Sequence, residues 1–133
     1  MTKSQALYSV WASFGWPAIN EQSDISEETA RALGLDKKRI EYEDSTGDFT
    51  GSVALTASLF HYSESWAEVR AKALEIREFI GHGYRVSIDG GYLWIKARNP
   101  FTTDGSGSSD YKDSDKSWRR VILNIEADFL TAI

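Results

Sequence analysis

The two histidines, His61 and His82, are the side chains best suited to acid–base or metal chemistry at neutral pH. His61 stands at the end of an apolar segment, and His82 lies between two glycines. Their spacing fits no metal-binding motif, and the chain has no cysteine that could complete a zinc site or act as a nucleophile. We therefore expect no bound metal and no cysteine chemistry.

Serine, calcium and phosphate chemistry also lack their motifs. A Ser–His–Asp triad needs no fixed spacing, so that alternative stays open, but no Gly-x-Ser-x-Gly elbow follows a predicted strand. The acidic stretch Asp110–Asp115 has some character of a calcium loop, yet it lacks the bidentate Glu at the twelfth position and the flanking helices. Asp89–Gly91 forms a turn that opens no helix. The sequence thus predicts neither an enzyme nor a cofactor.

Aromatic and arginine side chains favour a different chemistry, the recognition of another protein. Five Trp and an aromatic share of 13% are high for a small domain, and Trp and Tyr are enriched in interfaces. A core packed with rings is the alternative interpretation. The interface candidates are Phe60, Tyr62, Trp94, Phe101, Tyr111, Trp118, Arg119 and Arg120.

Arg119 and Arg120 are predicted to begin the last strand, with one side chain on each face of the sheet. An inter-subunit ion pair or a contact with an acidic partner is one interpretation of this pair. An exposed strand end is the other.

The strand–helix unit from Gly51 to Ile80 is the predicted scaffold for these candidates. From Gly51 to Tyr62, apolar residues alternate along the chain, which predicts a strand with one buried face. Ser65 and Glu68 have the spacing of a capping box. Apolar residues then recur at helical spacing, which predicts a helix over Trp66–Ile80 that ends at Gly81.

The N-terminal third predicts one firm helix and one polar excursion. Leu7, Val10, Trp11 and Phe14 recur at helical spacing. Thr2 and Gln5 are placed to cap this helix, and Pro17 ends it. Residues 20–38 form the excursion, in which a short helix over 27–33, with a capping box from residue 24 and a stop at residue 34, is expected.

The remaining strands are predicted as two hairpins and one long strand. The segment Arg39–Asp44 is expected to pair with Gly51–Tyr62. The segments Tyr84–Ile88 and Tyr92–Ala97 flank an Asp-Gly turn, and Pro100 is expected to end the second of them. The segment Val121–Phe129 alternates as a strand.

These elements predict a single α+β domain over residues 1–133. One layer of mainly antiparallel sheet carries two main helices on one face, in the order α-β-β-α-β-β-β. Residues 102–117, rich in Gly, Ser and Asp, are predicted to be a mobile loop without core positions. Deleting that loop is expected to leave the fold intact.

The face of the sheet opposite the helices is expected to carry large apolar groups. A monomer rarely exposes such a patch without a partner. The register of the second hairpin stays open, because Tyr92 and Trp94 could exchange faces with Leu93 and Ile95. The residues expected on this face are Phe60, Tyr62, Tyr92, Trp94 and Ile122.

Bulk composition excludes several classes of function. The formal net charge of −5 and the scattered basic residues disfavour nucleic acid as the main partner. No apolar run approaches the ~18 residues of a membrane span, and the N-terminus lacks the apolar segment of a signal peptide. We expect a protein made in the cytoplasm and used there or released by lysis.

Three segments together resemble the small tail-completion or tail-terminator proteins encoded by long-tailed phages and prophages of Gram-positive bacteria. They are Val53–Glu68, Asp89–Lys96 with Asn99–Phe101, and Arg119–Thr131. The predicted order of helices and strands is also similar to the tail-terminator fold. The excursion at 20–38 departs from the short extended link expected in this family.

The resemblance implies a virion structural protein without catalytic activity. Such proteins form a hexameric ring that caps the head-proximal end of the tail tube and joins it to the head connector. The implied partners are the protein itself, the tail tube protein and the head connector protein, and the implied location is the virion neck. A head–tail connector or minor capsid component is one alternative, and a small ligand- or peptide-binding module is another.

Overall fold

A computed structural model describes residues 1–21, 25–44, 51–104 and 117–131 of the chain. These residues form three helices and six strands. The helices are α1 (Lys3–Ala12), α2 (Glu27–Ala32) and α3 (Ala67–Ile80). The strands are β1 (Ala18–Asn20), β2 (Lys38–Tyr42), β3 (Gly51–Ser63), β4 (Tyr84–Ile88), β5 (Gly91–Asp104) and β6 (Ser117–Thr131).

The six strands form one strongly curled sheet, a half-barrel, in the order β1-β2-β3-β6-β5-β4. All neighbouring strands are antiparallel except β1 and β2, which are parallel. The α+β class, the mainly antiparallel sheet and both predicted hairpins are therefore confirmed. The predicted order omitted β1, because three residues are too few to show an alternating pattern.

The core lies between one face of the sheet and the helices α1 and α3. The buried residues of α1 are Ala6, Leu7, Val10 and Trp11, and those of α3 are Val69, Ala73, Ile76 and Ile80. Against them lie the alternating buried residues of the central strands, such as Leu55, Leu59, Leu123 and Ile125. Burying each Leu or Ile side chain stabilises the fold by about 1.5–3 kcal/mol, so this layer holds the helices to the sheet.

Helix α1 spans the interior of the curl and touches both edges of the sheet, β1 and β4. Its start matches the prediction, because the Thr2 hydroxyl accepts from the Gln5 amide and the Gln5 side chain accepts from the Thr2 amide. Beyond the strand β4, the Asp89 amide donates to the Met1 carbonyl at 2.7 Å. Contacts with both edges of the curled sheet therefore hold α1 in place.

The predicted capping box before α3 is wrong. The N-cap residue is Trp66, whose side chain makes no capping bond. The Ser65 hydroxyl accepts from the Ala67 amide at 3.0 Å instead. Glu68 pairs with His61 Nε2 at 3.1 Å and so is turned towards the sheet. The C-terminal prediction is confirmed, since Gly81 caps the helix with a positive φ.

The short helix α2 is capped by Ser26, which accepts from the Thr29 amide, and Gly34 follows with a φ of +78°. The helix therefore forms where the sequence predicts, but its N-cap is Ser26 rather than residue 24, which lies outside the described residues. Helix α2 buries none of its own residues. Ile25 and Leu35 on either side of it form apolar clefts with β1 and β2.

The expectation that Pro100 ends a strand is wrong, because β5 continues through it to Asp104. Ala97 pairs with Ile125 and Thr102 pairs with Leu123, so β5 has several more residues than β6 between these two pairs and forms a bulge there. A proline is tolerated in a bulge because the ladder needs no N–H there. The predicted bounds of the loop at 102–117 are wrong at both ends, because residues 102–104 belong to β5 and Ser117 belongs to β6. Residues 105–116 lie outside the described residues.

Candidate protein–protein interface

The face of the sheet opposite α1 and α3 carries the predicted apolar side chains. Leu93 and Ile95 are fully buried under the helices, so alternation places Tyr92 and Trp94 on the opposite face. Phe60, Tyr62 and Ile122 lie on that face by the same alternation. All five residues predicted for this face therefore lie on it. In the second hairpin, Tyr92 and Trp94 are on this face and Leu93 and Ile95 are on the helix-covered face. We call this surface the open face.

Four aromatic and arginine side chains of β3 and β6 meet at one end of the open face. Phe60 pairs with Arg120 and Tyr62 with Trp118. The Trp118 ring lies 6.2 Å from Phe60 in an edge-on arrangement and 5.4 Å from Tyr62. The guanidinium of Arg120 lies 5.2 Å from the Phe60 ring. Four of the predicted candidates thus form one contiguous group.

Arg39 of β2 completes this group. Its guanidinium lies 4.3 Å from the Phe60 ring and 4.6 Å from the Trp118 ring. Such contacts contribute about 0.5–1 kcal/mol at exposed sites and more when water is excluded. We call the five residues Arg39, Phe60, Tyr62, Trp118 and Arg120 the aromatic–arginine cluster.

Hydrogen bonds fix the two guanidinium groups of the cluster. Arg39 Nε donates to Glu41 Oε2 at 3.2 Å and Nη1 donates to the Leu35 carbonyl at 3.2 Å. Arg120 donates through Nε and Nη2 to the Ser58 hydroxyl, each at 3.1 Å, which leaves Ser58 buried. Because these groups are held in place before binding, the arginine side chains lose less conformational entropy when a partner contacts them.

Sequence reasoning did not single out Arg39, Glu41 or Ser58. A signal was present in the sequence, since the apolar residues Ile40 and Tyr42 alternate with Arg39 and Glu41, which puts the two charged residues on the opposite face of the strand. The missing step was the register between β2 and β3, in which Arg39 pairs with Phe60 and Glu41 with Ser58.

The opposite end of the open face carries a polar group around Trp94. It lies eight residues farther along β6, about 25 Å from the cluster, because Trp94 pairs with Asp128. Lys96 Nζ lies 2.8 Å from Asp128 Oδ2 and 4.5 Å from the Trp94 ring. Ser52 also donates to Asp128. The predicted candidate Trp94 is therefore on the same face as the cluster but separate from it.

The hydrogen bonds around Asp128 shift two pKa values in opposite directions. The bond from Lys96 lowers the pKa of Asp128, and the bond from Ser52 lowers it further. The same bond to Asp128 raises the pKa of Lys96. Both groups stay charged at neutral pH and so hold one fixed ion pair on the open face.

Arg119 lies on the other side of the sheet from Arg120, as predicted, but it is not an exposed strand end. Its side chain is fully buried and donates to the carbonyls of Ser63 and Glu64 at 3.3 and 3.2 Å. Its guanidinium lies 5.6 Å from the Trp66 ring. In this structure Arg119 holds the turn between β3 and α3, and it offers no surface to a partner.

Phe101, a further interface candidate, lies outside the cluster. Phe101 packs on the helix-covered face, with the Arg77 guanidinium 5.9 Å from its ring. Tyr111 lies outside the described residues. The structure therefore brings together Phe60, Tyr62, Trp118 and Arg120. Of the other described candidates, Trp94 and Phe101 lie apart from this group and Arg119 is buried.

The histidines occupy unrelated environments. His61 pairs with Glu68 and lies 5.6 Å from the Trp16 ring, whereas His82 is exposed after α3. Over the described residues, no three His, Asp or Glu side chains are grouped to hold a metal ion. The helices within those residues are all too short or too polar to cross a bilayer.

Comparison with protein-family models, with curated proteins and with solved structures gave no match to this chain.

Proposed function

We propose that the protein is a phage virion structural protein, a tail terminator or completion subunit. It assembles with itself into a ring, hexameric in the virion, that caps the head-proximal end of the tail tube and joins it to the head connector. It performs no catalysis. Its place of action is the tail neck, after synthesis in the bacterial host.

The observation that carries this proposal is the aromatic–arginine cluster on the open face of the sheet. Trp, Tyr and Arg are the residues most enriched at interface hot spots. Tyr62 is 45% exposed, and Tyr92 and Leu130 on the same face are exposed to a similar degree. A sheet with one face covered by helices and the other carrying such groups has the composition of an assembling subunit.

The sequence resemblance to tail-terminator proteins supports the choice of this particular assembly. Its motifs in Val53–Glu68 and Arg119–Thr131 lie on β3, β6 and the start of α3, and β3 and β6 are two of the three strands that build the cluster. The α+β class with a mainly antiparallel sheet is compatible with this role.

The proposal is tested with the purified protein and tail tubes. The mass from light scattering should be that of an oligomer. Negative-stain images should show rings, or tubes capped at one end after mixing with the tail tube protein. A protein that stays monomeric at high concentration and leaves tube length unchanged would contradict the proposal.

A pair of tyrosine variants tests the cluster itself. Tyr62→Ala should weaken self-association of the protein by about 2 kcal/mol, which is a roughly thirtyfold increase in the dissociation constant of the assembled subunits. Tyr8→Ala is the matched control, because Tyr8 is exposed to a similar extent (51%) on α1, away from the open face. Equal effects of the two substitutions would argue against a role of the cluster.

A further inference from the structure

The strand β4 is the outer strand at one end of the sheet, because β5 is its one neighbour among the described residues. Ile88 pairs with Gly91 across a turn of two residues, and the pair that closes such a turn is a hydrogen-bonded pair. Hydrogen-bonded pairs alternate along the hairpin, so Tyr84, Val86 and Ile88 bond to β5. The backbone N–H and C=O groups of Arg85 and Ser87 therefore point away from the sheet.

These outward backbone groups form a free edge. Within the part of the chain that the structure describes, no backbone or side-chain group bonds to them, and both residues are exposed. The next outward amide, that of Asp89, donates to the Met1 carbonyl at 2.7 Å, so Met1 closes the edge at that end. The free edge is thus limited to the length of β4, and Val86 lies at its centre.

Apolar side chains flank this edge on both faces of the sheet. On the helix-covered face, Phe79 of α3 is 43% exposed and its ring lies 4.6 Å from that of Tyr84. On the open face, the exposed Tyr92 pairs with Ser87. An edge with unpaired backbone groups and apolar neighbours is a template for the addition of another strand.

We propose that two copies of the chain pair through β4 as antiparallel neighbours, related by a two-fold axis at Val86. Arg85 of each copy then lies opposite Ser87 of the other, and the six strands of each copy join into one continuous sheet. This contact goes beyond the proposed function. Two copies saturate an isologous contact, so it cannot by itself propagate a ring.

Hydrogen-bond and charge complementarity favour this register. With Arg85 opposite Ser87, every outward N–H and C=O group of these two residues gains a partner. A shift that places Arg85 opposite Arg85 opposes like charges, which destabilises a pair of strands. A shift that places Ser87 opposite Ser87 puts Arg85 opposite Asp89, whose amide already bonds to Met1. Of these registers, the one centred on Val86 pairs all the free groups.

The Arg85 side chain leaves the edge open to a partner strand. Its guanidinium lies 5.6 Å from the Tyr92 ring and 5.8 Å from the Trp94 ring, and both rings belong to β5. The charge is therefore directed over the sheet of its own subunit. A charged side chain that projects beyond an edge hinders the addition of a strand, and Arg85 does not project in that direction.

Cross-linking of single-cysteine variants tests the contact, because the chain has no cysteine of its own. In the proposed register the two copies of Val86 form a non-hydrogen-bonded pair, with Cα atoms about 4.5 Å apart. This separation suits a disulfide, so Val86→Cys should give a covalent dimer under mild oxidation. Ser87→Cys is the matched control, since its two copies lie diagonally, about 7–8 Å apart, and are too distant for a disulfide.

The covalent dimer of Val86→Cys should form roughly tenfold faster than that of Ser87→Cys on non-reducing gels. Random collision would give the opposite order, because Ser87 is more exposed than Val86. Equal or faster cross-linking of Ser87→Cys would overturn the contact.

A proline variant tests the backbone bonds. Ser87→Pro removes an N–H that points away from the hairpin, so the hairpin should fold as before. Loss of this donor from both copies should raise the dissociation constant of the dimer about thirtyfold in sedimentation velocity. Ser87→Ala retains the N–H and should dimerise like the unaltered protein. An unchanged dissociation constant for a folded Ser87→Pro would contradict the contact, and if thermal unfolding shows that this variant is not folded, the cysteine pair decides.

Failure of this contact and failure of the proposed function can be distinguished. Tyr62 lies on β3, which β6 and β5 separate from β4, so adding Tyr62→Ala should leave the cross-linking of Val86→Cys unchanged. Cross-linking without rings or capped tubes would contradict the proposed function alone. Rings or capped tubes without the faster cross-linking of Val86→Cys would contradict this contact alone.

Discussion

Two adjacent arginines of β6 show how strongly strand alternation separates residues. Arg119 is buried beneath the turn into α3, and Arg120 lies on the open face against Phe60. The alternation itself was predictable. The depth of Arg119 was not, because it depends on how the chain folds back from β3 into α3, which has no signal in local spacing.

This difference gives a prediction for stability. Arg119→Ala should lower the free energy of unfolding by about 3 kcal/mol, because the carbonyls of Ser63 and Glu64 lose a charged donor in a buried site. Arg120→Ala should cost less, about 1–1.5 kcal/mol, because Arg120 is only partly buried and loses its contact with Phe60 and its hydrogen bonds to Ser58. Urea unfolding of the two variants measures both values. Similar losses would show that Arg119 is not a buried support.

The Lys96–Asp128 pair predicts a pH dependence. The pKa of Asp128 is lowered in the folded state, so its contribution to stability is present above the pKa of the unfolded chain and is lost as the pH falls through the folded value. The raised pKa of Lys96 gives a contribution present below its unfolded pKa and lost as the pH rises through the folded one. The pair is therefore fully effective at neutral pH.

Asp128→Asn should be less stable than the unaltered protein at pH 7, and this difference should shrink as the pH falls below about 4. Thermal unfolding followed across that range measures it. A difference that stays constant with pH would mean that Asp128 acts through packing alone.

At the scale of the elements, glycines allow the backbone conformation of the connection between α3 and β4. Gly83 has a φ of +143°, and a Cβ built there would lie 2.1 Å from Nε1 of the Trp94 ring. The indole of Trp94 thus occupies the space that a side chain at residue 83 would need. Gly90, in the following turn, has a φ of +79° and nothing within 4 Å of such a Cβ.

Gly83→Ala should therefore destabilise the fold by about 2–4 kcal/mol, because it adds overlap with Trp94 to backbone strain. Gly90→Ala is the control for strain without overlap and should cost about 1 kcal/mol. Chemical denaturation gives the two energies, and tryptophan emission reports on the displaced indole. Equal costs would mean that Trp94 moves aside freely.

The periodic elements could be predicted, and the irregular ones could not. Long alternation in β3 and β6 and helical spacing in α1 and α3 carry strong signals. The capping box at Ser65 was misleading because Glu68 turns to His61, and the proline rule failed at Pro100 because a bulge admits it. Local rules give way where a tertiary contact or a register shift competes with them.

For the whole molecule, the class was predictable but the strand order was not. Both hairpins follow from turn residues, yet no local signal places β6 between β3 and β5. The cluster shows the same limit. Its aromatic members were identifiable by type, whereas Arg39 joins them only through the order of the strands.

The central position of β6 has a consequence for how the chain is made. β3 pairs with β6 along its whole length, from Gly51 with Phe129 to Ser63 with Ser117, and β5 pairs with the other side of β6. β6 leaves the ribosome after all the other elements. Until it does, β3 and β5 each present an unpaired edge, and such edges bind other strands readily. The nascent chain therefore passes through a state with two open edges, and a single late strand closes both.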